Sequence, residues 1–152
     1  MWLLSLGYIG AFLGPLVGVF TFYLVPWPFL IFALGHLLNP FLVALLGATG
    51  ATLGTSLYYL VGEGICRILP SRLKEYLEKG QVYLKKYGAL AIFLFAALPL
   101  PDEVIWVPVG CLRYDVRRAL IACWLGKFVL IATIAFAGYY GIGEIMQFLP
   151  NR

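Results

Sequence analysis

The chain has 152 residues, of which 62% are hydrophobic and 12% charged, and its formal net charge is +4. Soluble domains carry about 25% charged residues, so this composition excludes an ordinary soluble domain and predicts an integral membrane protein. Nucleic-acid binding is not expected, because the basic residues lie beside apolar segments with no soluble surface to present them. The length suits a single membrane domain over residues 1–152.

The first apolar segment covers residues 2–25 and is long enough to span a bilayer, which takes about 20 helical residues. Gly14 and Pro15 are expected to interrupt it, since proline removes a helix hydrogen bond. No basic residue precedes the segment. We therefore interpret it as retained membrane structure and not as a cleaved signal peptide.

Pro26 and Pro28 predict the next helix break, because proline also disfavours helix in the residue before it. The apolar residues 29–38 are too few to cross a bilayer as a helix, so a re-entrant segment ending near Asn39 and Pro40 is predicted. Residues 41–61 then form a full span, which the Gly-Glu-Gly sequence at 62–64 is expected to end.

Charge is distributed very unevenly along the chain. Residues 1–62 contain no Asp, Glu, Lys or Arg, and the net positive charge comes from two basic clusters at 67–86 and 113–118. Basic segments beside membrane spans usually stay in the cytoplasm. We therefore predict a multi-pass protein of the plasma membrane, with both basic clusters cytoplasmic.

The first basic cluster predicts an amphipathic helix in the membrane interface, within about residues 66–86. Ser71 can cap a helix that runs to Lys79, and Gly80 is expected to stop it. Glu75 and Lys79 have the four-residue spacing that favours an ion pair on a helix surface. The charges are expected to form a solvated face beside anionic lipid, with a specific headgroup site as the alternative.

A second proline-rich stretch, residues 98–110, separates two short apolar arms. Asp102 and Glu103 lie within it, and adjacent carboxylates in an apolar context are costly unless they face water, a cation or a proton path. Irregular backbone at membrane depth must also be buried in protein or line a cavity. The stretch therefore predicts a re-entrant hairpin with an acidic site, although capping of the following helix is another role for both acids. The predicted breaks of this hairpin are Pro99, Pro101 and Gly110.

The last full span is predicted over residues 119–139 and contains one charge, Lys127. Lys127 lies about nine residues into this span, near the middle of a bilayer. An ammonium group at that depth pairs or faces water. We therefore predict that Lys127 approaches Asp102 or Glu103; the alternative is that it extends towards a membrane face.

Catalytic and metal-binding patterns are not found in the sequence. Cys66, Cys111 and Cys123 are interpreted as small packing residues, not paired by their spacing. His36 is the only histidine, so it cannot complete a metal cluster or a catalytic set and is expected to be a packed or interfacial residue. An enzyme, a metal and a cofactor are therefore not expected.

The two halves of the chain follow the same order: a proline break, a short apolar arm and a full span. With the basic clusters cytoplasmic, the first hairpin enters from outside and the second from the cytoplasm. Inverted repeats with broken helices that meet near the midplane are a transporter architecture. The predicted fold is thus an all-α membrane protein with repeats at about 15–62 and 88–140, separated by the interfacial helix.

This order of segments resembles the DedA family, whose members share the VTT or SNARE-associated domain. The family's second hairpin has an Ala-Gly eleven residues after a proline, a spacing held here by Pro99 and Gly110. The family's Gly-Asp-x-x-x-Tyr is similar to residues 54–59, Gly-Thr-Ser-Leu-Tyr-Tyr, and Tyr87-Gly88 also fits. The resemblance covers about residues 20–140.

The chain departs from the family pattern at its charged positions. The family's second hairpin typically reads Arg-Phe-x-Pro-Gly-x-Arg, and its two arginines correspond to Ala96 and Asp102 here. The acid often present in the family's first hairpin corresponds to Leu30, and the aspartate of the Gly-Asp-x-x-x-Tyr motif corresponds to Thr55. The chain thus resembles a divergent branch, in which recognition of phosphate by the family's usual residues is not expected.

The resemblance implies lipid movement, by a flippase or scramblase that acts on polyprenyl-phosphate carriers or phospholipids and is sometimes coupled to protons. Asp102, Glu103 and Lys127 are the candidate transport and coupling residues, and Arg113, Arg117 and Arg118 are candidate headgroup contacts. Two alternatives stay open: a proton- or cation-coupled exporter of small solutes, and a non-transporting membrane scaffold. Membrane lipids are the expected partners, and a homo-oligomer is compatible with the sequence.

Overall fold

The computed structural model describes residues 2–20, 27–68, 70–98 and 103–148, and all its regular elements in these ranges are α-helices. In chain order the helices are α1 (Trp2–Gly18), α2 (Trp27–Leu37), α3 (Pro40–Ile68), α4 (Ser71–Ala97), α5 (Glu103–Cys111) and α6 (Val116–Phe148).

Two of these helices are long and apolar enough to cross a membrane: α3, and α6 over Val116–Gly141. They confirm the two predicted full spans, and both are longer than predicted. The expected end of the first span at residues 62–64 is wrong, because α3 continues to Ile68. A glycine inside a helix costs only about 1 kcal/mol, and Gly62 is buried against α5, so packing offsets that cost.

The predicted interruption at Gly14 and Pro15 is also wrong. Helix α1 continues through Pro15 to Gly18. Pro15 is fully buried, and its carbonyl oxygen accepts a hydrogen bond from the Val19 amide at 3.2 Å. A proline inside a helix removes one hydrogen bond and can bend the helix without ending it.

Helix α2 confirms a short apolar helix of 11 residues. Pro28 does not break it; Pro28 is its second residue, in the first turn, where a missing amide hydrogen leaves no intrahelical bond unmade. Pro26 lies outside the described residues. Asn39 separates α2 from α3, as predicted, and its Oδ1 accepts a hydrogen bond from the Phe41 amide at 3.0 Å.

Helix α4 joins two segments that the sequence analysis separates. It is continuous from Ser71 to Ala97, so the expected stop at Gly80 is wrong and the amphipathic segment is continuous with the apolar arm that follows. Ending a helix leaves four carbonyl groups without intrahelical partners. That cost exceeds the roughly 1 kcal/mol penalty of a glycine within the helix.

Helix α5 confirms the second short arm, with Pro108 inside it. Gly110, predicted as a break, is instead part of α5 and is buried. The chain turns after α5 at Arg113, whose φ of 50° lies in the left-handed region. Asp115 then caps α6, its Oδ1 accepting a hydrogen bond from the Arg117 amide at 3.0 Å.

The six helices pack in a pattern that is preserved when the first three are exchanged for the last three. Helix α1 packs on α3 and α4 packs on α6. The short helices cross over, because α2 packs on α6 and α5 packs on α3, and the two long helices pack against each other at the centre. The core accordingly has two clusters of buried hydrophobic residues, which meet along α6.

Candidate functional site: the interface of the two long helices

The long helices α3 and α6 are antiparallel where they meet. Near the beginning of α3, Gly47 approaches Ile131 so closely that a Cβ on the glycine would lie 3.1 Å from Cγ2 of Ile131. Two turns further along α3, the Thr55 hydroxyl lies 3.7 Å from Sγ of Cys123, which precedes Ile131 in α6. The later residue of α3 thus contacts the earlier residue of α6, so the two helices run in opposite directions.

Lys127 lies at the centre of this interface. It is midway between Cys123 and Ile131 on one face of α6, just as Ala51 is midway between Gly47 and Thr55 on α3. Lys127 is only 6% exposed and Ala51 is 2% exposed. A buried lysine therefore lies in the middle of the contact between the two membrane-length helices.

The membrane depth of Lys127 stays a prediction, and the length of α6 is compatible with it. Lys127 lies about 16 Å along α6 from Val116 at 1.5 Å per residue, half of a hydrocarbon core about 30 Å thick. Asp102 lies outside the described residues, and Glu103 begins α5. The predicted contact between Lys127 and one of these acids therefore stays a prediction.

A groove of about 400 Å³ runs along the side of the same interface. Hydrophobic side chains dominate its lining, and several of them are exposed on the outer surface of the protein. Lys127 follows Trp124 by three residues on α6, so it is a neighbour of the groove on the helix surface. The residues that line the groove are Thr49, Thr52, Leu53, Leu120, Ile121, Trp124 and Leu125.

Three of the lining residues, Thr49, Thr52 and Trp124, also carry polar atoms. Trp124 Nε1 donates a hydrogen bond to Thr49 Oγ1 at 3.2 Å, and that hydroxyl donates to the Leu45 carbonyl at 2.8 Å. Thr52 is 7% exposed, and its Oγ1 has no hydrogen-bond partner among the described residues. A buried hydroxyl without a partner costs about 1–3 kcal/mol. These polar atoms lie behind the lining, and the surface that the groove presents is apolar.

Backbone contacts through glycine attach each short helix to a long one. A Cβ on Gly62 of α3 would lie 2.6 Å from the carbonyl oxygen of Val107 in α5, and a Cβ on Gly110 of α5 would overlap the carbonyl oxygen of Tyr59 in α3. These contacts have counterparts in the other half. Gly138 of α6 is placed against the carbonyl oxygen of Phe32 in α2, and Gly35 of α2 against that of Ala135 in α6.

The cysteine prediction is wrong for two of the three residues. Cys66, near the end of α3, forms a disulfide with Cys111, the last residue of α5, with a Cα–Cα distance of 5.1 Å. Spacing could not reveal this pair, because 45 residues separate its members. Cys123 is buried in the core, as predicted for a packing residue.

Charged side chains surround the disulfide. Glu63 Oε1 lies 3.7 Å from Nη2 of Arg67 and 3.8 Å from Nη2 of Arg113, and both arginine side chains are largely exposed. Arg118 Nε lies 3.4 Å from Oδ2 of Asp115. Of the three arginines predicted to contact headgroups, Arg113 and Arg118 thus form ion pairs within the chain. Arg117 is exposed beside them.

Sequence reasoning missed both the groove and the disulfide. The groove is formed by residues from two helices far apart in the chain, so no local pattern marks it. Thr49 and Thr52 gave one available signal, as hydroxyls three residues apart within an apolar span. For the disulfide, the signal was that Cys66 and Cys111 each lie within about five residues of the end of a predicted apolar segment, beside a basic cluster.

The structure thus defines an all-helical membrane protein in which two crossed three-helix halves meet along antiparallel, membrane-length helices. Residues 24–140 match the VTT domain, and the chain belongs to this family, the DedA or SNARE-associated family. It is also 30% identical over 128 residues to an uncharacterised protein of Methanocaldococcus jannaschii, covering 81% of this chain and 78% of that one. No solved structure shows a significant match.

Proposed function

We propose that this protein moves membrane lipids with phosphate-containing headgroups, phospholipids or polyprenyl phosphates, from one leaflet to the other. The observation that carries the proposal is the apolar groove between α3 and α6 with the buried Lys127 beside it. An acyl or prenyl chain suits the exposed leucine and isoleucine side chains of the groove. An ammonium group at mid-depth supplies the charge that an anionic headgroup needs to leave water.

The proposal includes an inverted repeat with re-entrant arms. It is supported by the antiparallel packing of α3 and α6 and by the contacts that persist when the two halves are exchanged. A two-fold axis that relates antiparallel membrane helices lies in the membrane plane, which makes the two halves inverted. In this arrangement α2 and α5 are the arms that enter from opposite faces, and Lys127 and Ala51 lie near the axis.

In this proposal the adjacent acids Asp102 and Glu103, which the sequence assigns to the second hairpin, act together with Lys127. One acid neutralises Lys127 while no lipid is bound, and the other takes up a proton or a cation as the cavity changes access. Lys127 then alternates between the acid and the lipid phosphate. No covalent step is involved.

The experiment is a lipid-translocation assay in liposomes, in which albumin extracts a fluorescent short-chain phospholipid from the outer leaflet. Ile121→Trp fills the groove and is expected to slow translocation at least about 5-fold, since overpacking a formed cavity excludes its occupant. Val129→Trp is the matched control, because Val129 is an exposed residue of the same helix outside the groove lining. Equal rates for Ile121→Trp and the parent protein would refute the groove as the lipid path.

A proton- or cation-coupled exporter of small solutes is the second candidate. It is favoured by the adjacent acids Asp102 and Glu103, which a lipid path alone does not require. The same liposomes distinguish the two functions. Lipid translocation without a proton gradient supports the first, and gradient-dependent solute flux without lipid translocation supports the second. If neither activity is present, the membrane scaffold is the remaining function.

A further inference from the structure

We propose that Cys66 and Cys111 form a thiol–disulfide exchange site that controls whether helix α5 is fixed to helix α3, and that small or protein dithiols on the cytoplasmic side reduce it. The bond joins the last residue of α5 to the last turn of α3. The inference does not depend on what the protein transports.

The location of the disulfide is the first argument. It lies beside Arg67 and Arg113, in the basic part of the chain, whereas residues 1–62 carry no Asp, Glu, Lys or Arg. Such an asymmetry of basic residues places this end in the cytoplasm. Disulfides in that compartment are mostly transient, because cytosolic dithiols reduce them. A disulfide between two helices on that side is therefore suited to regulation.

Access and chemistry are the second argument. Cys66 and Cys111 are only partly buried, and the neighbouring arginine side chains are largely exposed. A thiolate is the form that attacks or leaves in exchange, and partial burial leaves the bond within reach of a dithiol. In the exchange, a dithiol passes two electrons and two protons to the Cys66–Cys111 bond. The products are two protein thiols and the disulfide of the reductant.

The two halves of the protein differ at this position, which is the third argument. The packing of α5 on α3 corresponds to that of α2 on α6, through Gly62 and Gly110 in one half and Gly138 and Gly35 in the other. Gly110 of α5 is followed by Cys111, whereas the equivalent glycine of α2, Gly35, is followed by His36. No disulfide can therefore form at this second position. Oxidation fixes one short arm and leaves the equivalent arm with non-covalent contacts alone.

The experiment compares hydrogen exchange in the full-length protein in lipid nanodiscs with and without dithiothreitol. Reduction should expose two thiols to alkylation, at Cys66 and Cys111, and accelerate amide exchange in α5 about 10-fold. Helix α2 is the internal reference and should not respond. Cys66→Ser combined with Cys111→Ser should exchange rapidly in α5 without reductant, and Cys123→Ser should behave like the parent protein.

Three results would overturn the inference. The first is a bond that dithiothreitol does not reduce in the folded protein. The second is exchange in α5 that is unchanged after both thiols have been alkylated. The third is equal acceleration of α2 and α5, which indicates general loosening and not release of one arm. The comparison of oxidised and reduced parent protein decides the matter even if the double serine variant does not fold. Because transport is not measured, failure here leaves the lipid proposal untouched.

Discussion

Lys127 combines burial with charge at the centre of the molecule. It lies between two contacts that bring α3 and α6 together, Thr55 with Cys123 and Gly47 with Ile131. Small or short side chains at these contacts let the helices approach closely. A buried lysine is stable there only if its charge is compensated, so Lys127 is the first residue of this interface to test.

We predict that Lys127→Met impairs folding or lipid translocation, because a buried partner left without its counter-charge costs about 3–5 kcal/mol. Combining it with Asp102→Asn or Glu103→Gln should recover part of the loss, and whichever acid gives the recovery is the partner. Lys127→Arg, which keeps the charge, is the control. The measurements are thermal stability in detergent and the liposome assay.

The pairing hypothesis fails on a specific pattern of results. The hypothesis is refuted if Lys127→Met alone behaves like the parent protein and neither double variant differs from the parent. In that case the ammonium group reaches a membrane face or backbone groups, and the acids must act without it.

At the level of the elements, α5 is short and is held mainly by α3. Its contact with α3 is made backbone to backbone at Gly62 and Gly110, next to the Cys66–Cys111 bond. Nine residues bring its length to about 13 Å, so α5 alone cannot cross a bilayer. Its position depends on the fit of these glycines, which can be tested by adding a single methyl group.

Gly62→Ala should lower the stability of the protein, whereas Gly64→Ala should not. Both add the same methyl group to α3 and the same gain in helix propensity, up to about 1 kcal/mol. At Gly62 the new Cβ would lie 2.6 Å from a backbone oxygen of α5, whereas at Gly64 nothing lies within 4 Å. We therefore expect a lower melting temperature for Gly62→Ala and an unchanged or higher one for Gly64→Ala.

The α3–α5 packing described above would be contradicted if both alanine variants were stabilised equally. Thermal unfolding of the oxidised protein, with the disulfide intact, is the appropriate measurement. The reduced protein is unsuitable for this measurement, because without the disulfide the added methyl group of Gly62→Ala can displace α5 from α3.

For the whole molecule, the arrangement of charge and the antiparallel helices together predict topology. Helix α3 begins after Asn39 and ends beside Arg67, and α6 begins beside Arg117 and returns. If both helices cross the membrane, the ends near Arg67 and Arg117 lie on one side. The positive-inside tendency predicts that this side is cytoplasmic.

We expect single cysteines introduced at Lys79 and Arg117 to be labelled only from the cytoplasm, and one at Asn39 only from outside. A background with the native cysteines replaced by serine is needed, and labelling of intact and permeabilised cells gives the sidedness. Labelling of Asn39 and Lys79 from the same side would end the inverted-repeat interpretation.

Local signals in the sequence determined the membrane class, the two full spans and the two short helices. Long apolar runs fix the spans because an unpaired backbone is too costly in lipid, and prolines and Asn39 mark the helix starts because they act on neighbouring residues. The same signals over-predicted breaks at Pro15, Gly80 and Gly110. There the modest cost of proline or glycine within a helix is outweighed by intact hydrogen bonds and packing. The Cys66–Cys111 bond, the groove beside Trp124 and the central position of Lys127 were decided by tertiary structure alone. Each depends on which faces of helices far apart in the sequence come into contact, and the spacing of residues along the chain does not determine this.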